Sequence, residues 1–168
     1  MHSVSIPTPR YDTLDGIERA SRCRLEEGSA LRGVRRDFWA VYTLGYVVEL
    51  CLKAAFLRLA GLEPHENADL FVKGKLPSQW ARIMGVARST QNMHDLLFWL
   101  ELVMAERSFS RKPRDGEFLR EFAIRVQQVA VMWQPRMRYQ PSIVMGERVR
   151  VAEIAARWIL DHHEQLWS

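Results

Sequence analysis

Residues 38–61 read FWAVYTLGYVVELCLKAAFLRLAG, and what that segment needs around it decides the fold. Phe38, Val41, Tyr42, Gly45, Val48, Leu52, Ala55, Phe56 and Leu59 recur at the spacing of one helical face, while Trp39, Leu44, Val47, Leu50 and Leu57 make the opposite face apolar as well. A helix apolar all round must be covered on nearly every side, and in a chain of 168 residues that cover comes from other helices. Glu49 and Lys53 interrupt the segment one turn apart, acid before base. Exposed, such a pair adds about 0.2–0.5 kcal/mol to a helix. Buried, it fixes how the helix sits among its neighbours, and we read Glu49 and Lys53 as a structural pair.

Outward from this helix the chain reads as one all-α domain, an up-and-down bundle over residues 13–168, preceded by an N-terminal arm over residues 1–12 that carries Pro7 and Pro9. Residues 13–27 predict a polar first helix, with Gly28 as its stop and Ser29 capping the long second helix that ends at Gly61. Residues 62–77 read as a long connection. Ser78 opens a short helix carrying Trp80 and Ile83, and a helix follows from His94-Asp95, with Asn92 or Thr90 as its cap. Asp115 caps the helix over residues 116–133, whose inward stripe is Phe118, Leu119, Phe122, Val126, Val129 and Ala130. The last helix, residues 147–166, turns Val149, Ala152, Ala155, Ala156 and Ile159 inward. No alternation of period two argues for a strand.

Composition narrows the function classes. The net charge of +4 rests mainly on arginine, whose planar fork suits phosphate, although arginine-rich codon usage gives the same bias. Two cysteines, Cys23 and Cys51, are too few for a disulfide framework and match no metal motif, so reduced thiols in a cytoplasm are expected. No basic stretch followed by an apolar run opens the sequence, and no secretory signal is expected. Glu49, Lys53 and Arg58 stand at costly depth for a membrane span, so no membrane association is expected. No metal or cofactor is called for.

The densest basic and aromatic chemistry outside the apolar helices is Arg136, Arg138 and Tyr139, followed by Arg148 and Arg150. Guanidinium forks beside a stacking ring suit a nucleotide or single-stranded RNA, and the alternative is a solvated loop whose Arg138 pairs with Glu49. His94 is a weak catalytic candidate as an acid–base pair with Asp95; helix capping, with His94 bonded to a neighbouring loop, is the favoured reading. His162 and His163 diverge by about 100° on a helix, so they do not form a metal site by themselves.

Residues 46–54, YVVELCLKA, then His94-Asp95-Leu96 opening a later helix, then Trp133 and Arg138-Tyr139 before an alanine-rich last helix, resemble the HEPN superfamily over roughly residues 30–163. The resemblance implies a helical bundle that dimerises, of the kind found in prokaryotic defence and toxin–antitoxin systems, often encoded beside a small nucleotidyltransferase. Many members are metal-independent ribonucleases in which an arginine precedes a histidine by four to six residues between the third and fourth long helices. Here Arg138 is followed by Tyr139, and no histidine lies within that reach. Arg88 with His94 and Arg157 with His162 have the spacing but stand elsewhere in the chain. The expectation is therefore a homodimeric HEPN-like protein without ribonuclease activity that binds nucleotide or RNA, or holds a nucleotidyltransferase partner, with Arg136, Arg138, Tyr139 and Arg148 at the site. One alternative is a metal-independent ribonuclease that pairs Arg138 with a spatially adjacent His94. Another is an oligomerisation module, for which exposed Trp158 and Trp167 would speak.

Overall fold

The computed structural model describes residues 13–68, 76–86, 94–111, 115–139 and 146–168, with the side chains of Leu76, Pro135 and Arg138 left undescribed. The helices are α1 (Leu14–Gly33), α2 (Asp37–Leu59), α3 (Leu76–Ile83), α4 (Leu96–Phe109), α5 (Gly116–Ala130) and α6 (Gly146–His162), with a 3-10 turn at Pro135–Tyr139 between α5 and α6 and another at His163–Leu166 after α6. Among the described residues there is no strand, only a single bridge between Thr13 and Asn67. The predicted N-terminal arm, residues 1–12, lies outside the described residues.

The all-round apolar reading of α2 explains the architecture. Helix α1 lies along it, α4 and α6 pack on it, and α5 packs on α6. Fifteen of its residues are buried, Glu49 and Lys53 among them. Its length and composition would also suit a membrane span, but 83% of its most apolar window is buried inside the bundle. The inward stripe Val149, Ala152, Ala155, Ala156 and Ile159 of α6 is fully buried.

The sequence expectation fails at the first helix boundary. Helix α1 does not stop at Gly28 but runs on to Gly33, and Ser29 hydrogen-bonds Glu153 instead of capping α2. Gly28 is there for a close approach: a Cβ on it would stand 2.8 Å from Leu44 Cγ and Cδ2. The break comes at Arg35, whose φ of 56° is left-handed, followed by Arg36 N–H donating to Leu31 O. Gly61 does end α2, at φ 85°, with Leu62 N–H returning to Leu57 O at 2.9 Å. Thr13 caps α1 and Asp115 caps α5, each side chain accepting a backbone N–H of the first turn. Helix α5 ends at Ala130, a turn earlier than expected, and the final helix gives way to the 3-10 turn at His163.

Three polar ties close the bundle. Arg58 donates in a fork to both oxygens of Glu18, at 3.0 and 3.2 Å, joining α2 to α1. Glu153 of α6 accepts from Ser29 and Arg32 of α1; burial pushes its carboxyl up, but those hydrogen bonds hold it below the usual carboxylate range. Arg107 of α4 donates to the carbonyls of Gln165 and Leu166, pinning the C-terminal turn.

His163, 2% exposed, donates from Nδ1 to Leu160 O, and burial lowers its pKa from 6.5. A buried neutral histidine stabilises the fold fully above the unfolded pKa of about 6.5, and that contribution is lost as pH falls below it, because only the unfolded chain then takes the proton readily. Denaturant unfolding at pH 7.5 and 5.5 is expected to show a loss on acidification that is smaller in His163→Leu. Equal losses in both proteins would refute the assignment.

Candidate functional site

Four α2 side chains at spacings of four, three and four, Tyr42, Tyr46, Glu49 and Lys53, share one stripe, and the site is built on it. Lys53 Nζ donates to Glu49 Oε1 at 2.5 Å, with side-chain exposures of 9% and 3%. Across from them, at the head of α4, His94 Nδ1 lies 3.0 Å from both Glu49 oxygens. A carboxylate only accepts, so Nδ1 carries the proton and Nε2 is the acceptor of the neutral ring. The His94 side chain is 43% exposed, so a deeply buried acid and base hold an imidazole that reaches solvent. Lys53 Nζ also stands 5.4 Å from the Trp99 ring centroid, a cation–π contact with the α4 core.

Aromatic rings wall the cluster. Tyr46 meets His94 edge to face at 6.2 Å and Trp133 at 5.4 Å, and its hydroxyl is 3.0 Å from that of Tyr42. Trp133 enters from the end of α5 and donates from Nε1 to Tyr42 O at 2.9 Å. It sits where Gly45 leaves space: a Cβ on Gly45 would be 2.1 Å from the Trp133 ring.

The residues predicted from sequence are thus redistributed. Glu49 and Lys53 do form a buried pair, and His94 joins it. His94 does not cap α4; its Nδ1 meets the Glu49 carboxylate. Asp95 is the cap, accepting from Leu97 and Phe98 N–H at 3.0 and 3.3 Å, which leaves the preceding imidazole to reach the carboxylate of the central helix. The alternative caps Thr90 and Asn92, and Arg88 with them, lie outside the described residues. Arg157 turns to Ser29 and Glu153, and His162 stacks on Trp158 at 4.3 Å with Nδ1 on Trp158 O.

Immediately after Trp133, the 3-10 turn carries exposed Arg136 and Tyr139 around buried Met137; Tyr139 is 71% exposed. Arg138 has its backbone in this turn, but its side chain, and with it any pairing to Glu49 or His94, is outside the described residues. Arg148 is exposed on the first turn of α6, next to Glu147, whose carboxylate binds Arg150. Trp158 and Trp167 are partly buried against the core, not displayed, which removes the feature that favoured an oligomerisation module. Among the described residues no group of three or more His, Cys, Asp or Glu side chains is placed to hold a metal ion.

Fold and site together define an all-helical bundle with a buried acid–base pair presenting one histidine. No family model, curated protein or solved structure matches the chain.

Proposed function

We propose that this chain is a HEPN-like helical protein that binds a nucleotide or single-stranded RNA through Arg136, Arg138, Tyr139 and Arg148. The observation that carries the reading is the exposed Tyr139 ring beside exposed Arg136 on a turn anchored by buried Trp133 and Met137. A ring held out on a fixed turn is a stacking platform for a base, and the guanidiniums supply phosphate contacts. Each base stacked on an aromatic ring contributes about 1–3 kcal/mol. Tyr139→Ala is therefore expected to weaken RNA binding roughly 5- to 150-fold. Arg136→Ala and Arg148→Ala are expected to flatten the salt dependence by roughly 0.7 each in logarithmic slope. Unchanged affinity in folded Tyr139→Ala would reject the site.

The Glu49–His94 contact favours a second reading, metal-independent RNA cleavage. In it His94 Nε2 takes the proton of a ribose 2′-hydroxyl, that oxygen attacks phosphorus, and the 5′-oxygen leaves and takes up a proton. Glu49 would position the ring and stabilise its charged form. Cleavage that persists in EDTA and disappears in His94→Ala is what this reading requires. Binding to a nucleotidyltransferase partner remains the reading for a protein that neither binds nor cleaves RNA.

A further inference from the structure

Two carboxylates fix the head of α6 against the end of α1. Glu153 accepts from Ser29 at 2.6 Å and from Arg32, and also pairs with Arg157 of its own helix, while Glu147 holds Arg150 at 2.7 Å. Glu147 stays below the usual carboxylate range chiefly through that bond to Arg150, and the Arg32 charge on α1 adds to it. The first turn of α6 also meets the first turn of α2, since a Cβ on Gly146 would lie 3.5 Å from Asp37 Oδ2. The corner of residues 33–36 between α1 and α2 therefore lies beside the residues that open α6.

At this junction the ion pairs engage Arg32, Arg150 and Arg157. They leave Arg35, Arg36 and Arg148, all exposed and holding no ion pair among the described residues. Against these three cations stands half-buried Asp37, so positive charge is in excess. Arg35 holds φ 56°, a backbone position that glycine takes without steric cost, yet an arginine occupies it. Unpaired guanidiniums gathered on a fixed surface suit phosphate oxygens. The Tyr139 turn is close by: Trp133, which leads into it, bonds Tyr42 O, and Tyr42 is five residues from Asp37, about 7.5 Å along α2. Arg148, two residues beyond Gly146, stands between the two places.

We propose that a single-stranded RNA stacked on Tyr139 continues past Arg148 to the α1–α2 corner, where Arg35 and Arg36 contact further phosphates. The ligand is then an oligonucleotide and not a mononucleotide. This rests on the reading of the Tyr139 turn as a nucleic-acid site and adds to it a second stretch that is purely electrostatic.

Two probes separate the stretches: a labelled single-stranded RNA of about 12 nucleotides, within the usual span of such sites, and a labelled dinucleotide too short to leave the Tyr139 turn. Affinities would be measured over a salt series for wild type, Tyr139→Ala, the corner variant Arg35→Asn/Arg36→Gln and the control Arg19→Gln/Arg22→Gln, with folding checked by circular dichroism. Asparagine tolerates the left-handed position, so the corner variant loses charge without added strain. Arg19 and Arg22 are equally exposed and unpaired among the described residues but lie toward the other end of α1, about 15 Å or more from Arg32 along its axis. The expected result is that the corner variant binds the longer RNA at least about tenfold more weakly at 0.1 M salt, with a salt slope flatter by roughly 1.4. It should bind the dinucleotide as wild type does, the control should keep most of its affinity for both, and Tyr139→Ala should lose affinity for both. A corner variant that binds the longer RNA like wild type overturns the proposal, as does an equal loss in the control, which would mean that net charge alone is sensed. In either case a loss in Tyr139→Ala leaves the Tyr139 site standing. A wild type that retains neither probe overturns both.

Discussion

Glu49→Ala is expected to cost about 3–5 kcal/mol of folding stability, because it leaves the Lys53 ammonium buried without its counter-charge. Lys53 is 7% exposed and Glu49 2%, so neither reaches water by a small rearrangement. The size of the loss would not mean that the pair contributes that much, since bringing both charges out of water costs nearly as much as their attraction returns. Glu49→Leu combined with Lys53→Met is accordingly expected to recover most of the loss, leaving a bundle about as stable as the wild type, and His94 then loses its anchor without the fold being lost. Urea unfolding monitored by circular dichroism reads this directly. A single variant within about 0.5 kcal/mol of wild type, the range of an ordinary surface change, would mean that the pair is not buried as described.

Gly45→Ala is expected to be the most damaging glycine-to-alanine change among the described residues. Alanine is the better helix former by about 1 kcal/mol, so in an open position the change would stabilise α2. Here the new Cβ would lie 2.1 Å from Trp133 Cγ and Cδ1, well inside contact distance, and these are atoms of a rigid ring and not the end of a flexible chain. Trp133 is 2% exposed and holds its Nε1 bond to Tyr42 O, so it has to give up that position. Overpacking of a filled core costs about 1–3 kcal/mol and occasionally more, and at this overlap we expect a net loss of about 2 kcal/mol or above. Gly33→Ala is the control: a Cβ there meets nothing within 4 Å, and the change should be neutral or slightly stabilising. Comparable denaturation midpoints for Gly45→Ala and Gly33→Ala would contradict the packing.

What could be foreseen from the sequence follows how far apart the interacting residues lie. The period of α2, its acid–base pair, the Asp115 cap and the inward stripe of α6 are set by neighbours within a few positions, and all were legible. Gly28 was misread because glycine both ends helices and lets them approach, and only the tertiary contact with Leu44 distinguishes the two. The site divides the same way. Tyr42, Tyr46, Glu49 and Lys53 on one helical stripe could have been gathered from spacing alone. That His94 would meet Glu49 across 45 residues, and Trp133 fill the notch at Gly45, depends on how α4 and α5 dock, which no local pattern records.

In the function proposed for this chain, the Tyr139 turn binds nucleic acid while the buried cluster supports the fold. A mixed pool of labelled single-stranded RNA, incubated in EDTA with wild type, Tyr139→Ala and His94→Ala at two salt concentrations, tests it on one gel. The expected result is retardation that weakens with salt, is weakened roughly 5- to 150-fold in Tyr139→Ala, persists in His94→Ala and is unaccompanied by cleavage. Retardation of equal strength in wild type and Tyr139→Ala, or no retardation at all, would contradict it.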